Sequence, residues 1–271
     1  MSNLLQRIIT ALIGVGIIIT AIVLSQLAFA LIFMAIMVLT LREFYGLAKD
    51  SGSKPFQYWG IFFSMCLFGL SYAVLTNTIE AHWLWLLPPL LLFCFLFPLY
   101  KLETVHPINC LAMTLLGIIY IAMPFTCLLV VAFHKGTYDY GIIIGLLFAQ
   151  WSNDTGGYIA GRALGRTKLF EKVSPKKTWE GTIGGAALTF GMLYLGSLYF
   201  DSLTLWQWMG LALIVIVFGS FGDLVESLFK RTLAIKDSGS SIPGHGGFLD
   251  RFDGLVLALP FATAYVILIS V

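Results

Sequence analysis

Apolar residues occur along this chain in long runs, each close to the length that crosses a bilayer. A membrane-spanning helix needs roughly 17–25 mostly apolar residues. The runs lie at about residues 8–25, 27–48, 57–76, 83–100, 108–133, 141–160, 181–200, 205–225 and 254–271. The pattern therefore predicts an all-α integral membrane protein with about nine transmembrane helices.

The first two runs follow each other closely and meet around Ser25 and Gln26. Prolines 88, 89, 98 and 124 fall inside runs that we expect them to kink. The small residues around Phe29 loosely resemble a signal-peptide cleavage site, but the apolar sequence continues to Leu41, which favours an uncleaved first helix. We expect one membrane domain over residues 1–271. Residues 1–140 would form mainly hydrophobic spans, and residues 141–260 the catalytic helices and cytoplasmic loops.

Composition supports the membrane interpretation. The chain is 59% hydrophobic and 11% charged, whereas soluble domains carry roughly 25% charged residues. So few charges cannot cover a globule in water, which excludes an ordinary soluble protein. The four cysteines lie in apolar runs and form no Cys-x-x-Cys pair, so we interpret them as buried apolar residues without a disulfide or zinc role.

The placement of charge predicts the orientation. If all nine runs cross the membrane, every lysine and arginine except Lys135 falls on the same side. The positive-inside rule then places the N-terminus and the basic loops in the cytoplasm and the C-terminus outside. Two loops, near residues 161–180 and 226–253, combine basic residues with acids and glycines. That mixture suits a phosphate-bearing ligand and its metal ion better than lipid headgroups alone.

The first candidate segment runs from Gly222 to Arg231. If the helix continues past the membrane, Asp223, Glu226, Ser227 and Lys230 share one face. Carboxylates suit Mg²⁺, and lysine or arginine neutralises phosphate oxygens. An ordinary juxtamembrane helix with ion pairs is the alternative.

The second segment is glycine-rich and ends where the last run begins. Its glycines let the backbone turn sharply and point amide groups at phosphate oxygens. Asp250 and Asp253 are three residues apart with Arg251 between them, although acids at a helix start also match the helix dipole. His245 is either structural or a ligand contact. The other candidates here are Lys236, Asp237, Gly246 and Gly247.

The third segment begins inside a predicted span. Asp154 lies there, and an intramembrane acid is expensive unless it is paired or faces a wet cavity. Structural hydrogen bonding is the alternative. Basic and hydroxyl residues then precede the next run and suit an anion at a helix start, or else form a basic surface patch. These candidates are Arg162, Ser174, Lys176, Lys177 and Thr178.

Together these motifs resemble a known enzyme family. The run Ser227-x-Phe-Lys-Arg-x4-Lys-Asp-x-Gly-x2-Ile-Pro-x-His-Gly-Gly-Phe-x-Asp-Arg-Phe-Asp253 resembles the signature of the phosphatidate cytidylyltransferase (CDP-diacylglycerol synthase) family. Asp154-Thr155-Gly156 and the block from Ser174 to Gly181 resemble further family blocks. Residues 1–140 match only as hydrophobic spans.

The resemblance implies that CTP reacts with phosphatidate to give CDP-diacylglycerol and pyrophosphate. It implies Mg²⁺ held by Asp223 and Asp250, with K⁺ as an option for a second cation. Expected partners are CTP, phosphatidate and membrane lipids but no nucleic acid, and a homodimer is left open. The catalytic candidates are Asp223, Lys230, Arg231, Lys236, Asp237, His245, Asp250, Arg251 and Asp253. The substrate-binding candidates are Asp154, Arg162, Ser174, Lys176, Lys177, Thr178, Glu226, Ser227, Gly246 and Gly247.

Two rival functions remain. A CTP-dependent lipid kinase, of the polyprenol kinase type, needs similar groups but releases CDP instead of pyrophosphate. A transporter would place Asp154 on an ion pathway, but the sequence shows no internal repeat and its charges gather on one side. The compact chain favours a bacterial plasma (inner) membrane, with the active site facing the cytoplasm.

Overall fold

The computed structural model describes residues 3–50, 52–100, 106–232 and 246–270. In these ranges the chain forms nine helices and one two-stranded hairpin. The helices are α1 Asn3–Leu24, α2 Gln26–Asp50, α3 Gln57–Leu75, α4 Ala81–Tyr100, α5 Pro107–Ala132, α6 Tyr140–Leu164, α7 Trp179–Tyr199, α8 Leu205–Thr232 and α9 Leu249–Ile269. The strands are β1 Lys168–Phe170 and β2 Ser174–Thr178.

Each predicted span lies on one of these helices. Seven of them, α2 to α5 and α7 to α9, are long and apolar enough to cross a membrane. The apolar part of α1 is the shorter Ile9–Leu24. Helix α6 has the necessary length, but its sequence is interrupted by polar residues. The helical membrane fold is therefore confirmed, and the antiparallel β1–β2 hairpin is an addition to the all-α prediction.

The chain forms two compact units. The first consists of Met1–Leu129 with Asp237–Asp250, and the second of Val130–Lys236 with Arg251–Val271. The predicted single domain, with hydrophobic spans over 1–140 and catalytic helices over 141–260, stays a prediction.

In the first unit, side chains lock neighbouring helices together. Ser25 separates α1 from α2, and its hydroxyl accepts a hydrogen bond from the Ala28 amide (3.1 Å). Tyr45 of α2 is fully buried against Gly60 of α3 and Gly117 of α5, where any larger side chain would collide with its ring. The Tyr45 hydroxyl donates to the Thr114 carbonyl oxygen (2.9 Å). Glycine is thus required at these contacts because the tyrosine occupies the space of a Cβ atom.

Helix α4 is irregular, as its prolines predict. It consists of a 3₁₀ turn Ala81–Leu86, an α-helical turn Leu87–Leu92, a second 3₁₀ turn Phe93–Leu96 and a last turn Phe97–Tyr100. Proline removes a backbone donor and crowds the preceding turn, which agrees with the alternation of 3₁₀ and α-helical turns along this helix. In α5 a π-helical turn Ile118–Ala122 directly precedes Met123 and Pro124.

In the second unit, glycines allow α6 and α7 to pack closely. A Cβ atom at Gly156 of α6 would lie 2.6 Å from the Gly184 carbonyl oxygen, and one at Gly181 of α7 would lie 2.9 Å from the Gly157 carbonyl oxygen. Close packing of small residues is a common way for membrane helices to associate, because lipid provides no hydrophobic drive between them. This contact fixes the polar stretch of α6 against the start of α7.

Helices α8 and α9 make a second close contact in this unit. Phe218 and Phe261 stack with ring centroids 3.5 Å apart, and a Cβ atom at Gly222 would lie 2.8 Å from the Gly254 Cα atom. A π-helical turn Val215–Gly219 precedes Ser220 in α8. Such turns rotate the residues that follow and are frequent at functional sites.

Candidate active site

Three carboxylates of the second unit converge where α8 and α9 meet. One oxygen each of Asp223, Glu226 and Asp253 lies within 4.8 Å of the others. Glu226 is 2% exposed and Asp253 7% exposed, whereas Asp223 is more accessible. The Asp223 and Asp253 side chains are within hydrogen-bonding distance of each other. Ionised carboxylates this close repel one another unless a cation or a proton lies between them.

Two lysines partly neutralise this cluster. The Lys177 ammonium forms an ion pair with Asp223 and donates to the Ser220 carbonyl oxygen (3.2 Å). The Lys230 ammonium pairs with Glu226 at 2.6 Å, one helical turn away on α8. Buried acids are tolerated when partners of opposite charge are fixed nearby. The sequence predicted one helical face with Asp223, Glu226, Ser227 and Lys230, and the Lys230–Glu226 ion pair lies on that face.

The β1–β2 hairpin positions Lys177. Alternate residues of a strand face opposite sides, and in β2 Lys177 is half-buried while Lys176 is exposed. The strand leads directly into α7, whose first turn is capped by the Thr178 hydroxyl accepting from the Gly181 amide (3.2 Å). The Glu180 carboxylate accepts from the Thr167 amide (3.2 Å), which ties the start of α7 to the start of the hairpin. Lys177 therefore projects from a strand whose end is held in place by these hydrogen bonds.

Helix α6 contributes a polar stretch to the same unit. Asp154 is exposed in the isolated protein and lies within electrostatic range of Asp223, Lys177 and Arg251. One turn earlier, the buried Gln150 amide donates to the Asp154 carboxylate at 3.1 and 3.3 Å. The Asp154 carboxylate thus has a fixed donor and nearby cations, as an acid in a predicted membrane span requires.

Gln150 is a candidate positioning residue that the sequence analysis missed. Cβ atoms at Gly219 of α8 and Gly254 of α9 would collide with the Gln150 amide. Its Oε1 atom is buried without a hydrogen-bond partner among the described residues. The signal in the sequence was a glutamine inside an apolar run, four residues before Asp154.

Several other predicted residues lie at the edge of this site. The Arg231 guanidinium donates to the Val173 carbonyl oxygen (3.4 Å), so it joins the end of α8 to the hairpin. Ser174 begins β2, and Ser227 lies on α8 beside Glu226. Arg162 is exposed near the end of α6 and donates to the Tyr158 hydroxyl (3.0 Å). No described contact links Arg162 to the carboxylates.

Asp250 belongs to the first unit, so its predicted role as a metal ligand stays a prediction. Its carboxylate accepts from the Gly247 amide (2.9 Å), and Gly246 has a positive φ of 84° that favours glycine. The Leu249 amide, at the start of α9, donates to the Glu43 carboxylate of α2 (2.9 Å). Glu43 was also missed, since residues 1–140 carried no motif. Lys236, Asp237 and His245 lie outside the described residues.

The cluster fits a hard divalent cation. Oxygen ligands suit Mg²⁺, which usually takes one or two carboxylates and completes its shell with water and phosphate oxygens. Within the described part of the second unit, the cluster offers Asp223, Glu226 and Asp253. Asp223 is the most accessible of the three, so it would be the ligand nearest to a bound phosphate.

Comparison with known proteins agrees with this chemistry. The family model described as "Cytidylyltransferase family" matches residues 5–269, so the chain belongs to the cytidylyltransferase family. It is 45% identical over 119 residues to the phosphatidate cytidylyltransferase of Staphylococcus aureus (strain COL), an alignment covering 43% of this chain and 45% of the relative. It is 43% identical over 126 residues to that of Staphylococcus saprophyticus, covering 45% of this chain and 48% of the relative. The chain thus matches about half the length of these relatives.

Proposed function

We propose that this protein transfers the cytidylyl group of CTP to phosphatidate, producing CDP-diacylglycerol and pyrophosphate. The observation that carries the proposal is the carboxylate cluster of Asp223, Glu226 and Asp253 beside Lys177 and Lys230. The family and the names of its relatives support the same reaction.

The reaction needs little acid–base chemistry from the protein. A phosphatidate oxygen, already anionic near neutral pH, forms a bond to the α-phosphorus of CTP. The bond from that phosphorus to the bridging oxygen of the β-phosphate breaks, and pyrophosphate leaves with the bonding electrons. The main obstacle is bringing two anions together, so charge neutralisation and alignment should supply most of the catalysis.

The side chains on the site can perform that neutralisation. Lys177 and Lys230 hold their ammonium groups at the cluster and would exchange part of their carboxylate contacts for phosphate oxygens. Arg231 and Arg251 are further candidates to contact the phosphates, with Lys176 at the exposed face of the hairpin. Asp223, Glu226 and Asp253 would hold Mg²⁺, and the role of Asp250 as a metal ligand stays a prediction. Bound there, Mg²⁺ would supply a positive charge that stabilises phosphate oxygens as pyrophosphate leaves.

The site is also proposed to face the cytoplasm of a bacterial plasma membrane. The segregation of lysine and arginine along the sequence supports this orientation, and the relatives are bacterial. The homodimer and the second cation, K⁺, stay predictions.

A two-label assay tests the reaction. Purified full-length protein in detergent receives CTP, phosphatidate and MgCl₂. With [α-³²P]CTP we expect label in the lipid, and with [γ-³²P]CTP we expect it in pyrophosphate. A lipid kinase would give the reverse result, with γ-label in the lipid and CDP released. That reverse pattern, or no lipid labelling by protein that remains folded, would contradict the proposal.

A further inference from the structure

The first unit contains a second polar feature, separate in sequence from the carboxylate cluster. A cavity of about 630 Å³ lies where α2 ends and α3 begins. Its lining includes two lysines, Lys49 and Lys54, and the aromatic residues Trp59, Phe62 and Phe97. We call it the lysine–aromatic cavity.

The two lysines give this cavity an unbalanced positive charge. Both are exposed, and neither ammonium forms an ion pair or hydrogen bond within the part of the chain that the structure describes. No acidic residue appears among the described residues that line the cavity. Two lysines that line one cavity without a described acidic partner favour the binding of an anion there.

Apart from Pro55 and Gln57, the rest of the wall is aromatic. The Trp59 ring packs against Phe62 and Phe97, with centroids 5.6 and 5.3 Å away. Phe62 is half exposed, as is the neighbouring Phe93. Tryptophan and tyrosine are typical of the membrane–water interface, and Tyr58 beside Trp59 is 82% exposed. A ligand here would therefore meet both ammonium groups and aromatic rings.

The cavity is held in place by the helices beneath it. The Phe56 amide donates to the Thr114 hydroxyl of α5 (2.8 Å), and the Tyr45 hydroxyl donates to the Thr114 carbonyl oxygen (2.9 Å). Pro55 is buried. The Trp59 indole N–H is buried without a hydrogen-bond partner among the described residues, so a small shift of the ring would offer a donor to a ligand oxygen. The site is thus largely formed before any ligand arrives.

We propose that the lysine–aromatic cavity binds the phosphate headgroup of an anionic glycerophospholipid, whose acyl chains lie along the aromatic wall. Inorganic phosphate would use the lysines but leave the apolar wall without a partner. A zwitterionic lipid carries its own cation, which the lysines repel. The lining offers ammonium groups and aromatic rings, so the role inferred for this cavity is lipid binding, whereas the transfer of the cytidylyl group is proposed for the carboxylate cluster.

Phosphatidylglycerol is the probe that separates this site from the proposed active site. It is anionic, but its phosphate is a diester and cannot act as the phosphatidate nucleophile. Purified full-length protein in neutral detergent is titrated with phosphatidylglycerol, and the retained lipid is measured by native mass spectrometry. Parallel titrations use phosphatidylcholine and inorganic phosphate.

We expect the variant Lys49→Gln/Lys54→Gln to bind phosphatidylglycerol roughly thirtyfold more weakly, since each juxtamembrane lysine contributes about one kcal/mol to contact with anionic lipid. Lys49→Arg/Lys54→Arg should retain binding. The matched control is Lys168→Gln/Lys172→Gln, which removes two exposed lysines of the second unit. This control should not change the binding of phosphatidylglycerol. Wild-type binding should weaken as salt is added.

Three outcomes would overturn the proposal. They are equal binding of phosphatidylcholine, inorganic phosphate competing at the concentration of the lipid, and an equal loss in both double glutamine variants. Thermal melting in detergent checks that each variant is folded. Because the probe is not a substrate, the result is independent of whether cytidylyl transfer is observed.

Discussion

Glu226 and Asp253 are acids placed where water scarcely reaches them. Removing a carboxylate from water costs several kcal/mol unless opposite charge is nearby. Among the described residues of the cluster, three carboxylates face the ammonium groups of Lys177 and Lys230. The excess of negative charge is unfavourable for folding alone, and a bound divalent cation would balance it.

The first prediction concerns these acids. Asp223→Asn and Asp253→Asn should each lower the rate of [α-³²P]CTP incorporation into lipid by about a hundredfold or more, because an amide cannot supply the ligand charge. Asp250→Asn tests whether the acid of the first unit takes part, and we expect a similar loss. Glu171→Gln, at an exposed turn of the hairpin, is the control and should retain activity. Full activity in Asp223→Asn would eliminate the cluster as the metal site.

The second prediction separates neighbouring lysines. Lys177 pairs with Asp223, whereas Lys176 is exposed on the other side of β2. Lys177→Gln should lower kcat/KM for CTP by roughly ten- to a hundredfold, since a charge-assisted hydrogen bond to a phosphate is worth about 1.5–3 kcal/mol. Lys176→Gln should lower kcat/KM for CTP clearly less than Lys177→Gln does. Initial rates over a range of CTP concentrations measure both, and Lys172→Gln controls for loss of a surface charge. An equal loss of kcat/KM in Lys176→Gln and Lys177→Gln would contradict the conclusion that only Lys177 of these two lysines faces the carboxylate cluster.

At the scale of elements, the second unit depends on close helix contacts that glycine permits. Gly156 and Gly157 are adjacent on α6 but face different surroundings. A Cβ atom at Gly156 would lie 2.6 Å from the Gly184 carbonyl oxygen and 2.9 Å from the Gly185 Cα atom. At Gly157 the nearest such atom, the Gly181 carbonyl oxygen, is 3.7 Å away, an ordinary contact.

The third prediction uses this matched pair. Gly156→Ala should destabilise the protein by about 1–3 kcal/mol, because the backbone of α7 cannot yield without separating the helices. Gly157→Ala should leave stability unchanged or slightly higher, since alanine favours a helix more than glycine does. Thermal unfolding of both variants in the same detergent measures the difference. A lower midpoint for Gly157→Ala than for Gly156→Ala would show that the α6–α7 contact is not as close as described.

At the scale of the whole molecule, charge segregation predicts which loops face the cytoplasm. The fourth prediction tests it in a cysteine-free background, in which Cys66, Cys94, Cys110 and Cys127 are replaced by alanine. A membrane-impermeant maleimide added to intact cells should label Thr137→Cys, in the loop after α5, because that loop is predicted to lie outside. Lys172→Cys, in the β1–β2 hairpin, should react only after lysis. The reverse pattern would invert the predicted topology.

The lengths of the helices could be predicted because the bilayer imposes a simple requirement. Every span in the hydrocarbon must be long, apolar and hydrogen-bonded within itself, so the nine predicted runs coincide with helices. The hairpin was not predicted, because its strands are only three and five residues long. Segments this short carry too few positions for an alternating pattern to stand out.

The site was predicted in part for a similar reason. Helical spacing already placed Asp223, Glu226 and Lys230 on one face, since that spacing is local. The position of Asp253 beside Asp223 depends on how α8 and α9 pack, and Gln150 becomes significant only when Gly219 and Gly254 close around its amide. Neither of these contacts can be predicted from the spacing of residues along one helix.

The sequence by itself determined that the protein is helical, that it lies in a membrane and which segments carry its charged chemistry. These properties depend on composition and on local periodicity. Only the tertiary structure decided which acids share a cluster, which lysine of the pair at 176 and 177 meets them, and where two further lysines line a cavity with aromatic rings. Those choices depend on contacts between segments distant along the chain, where a single glycine sets how closely two helices approach.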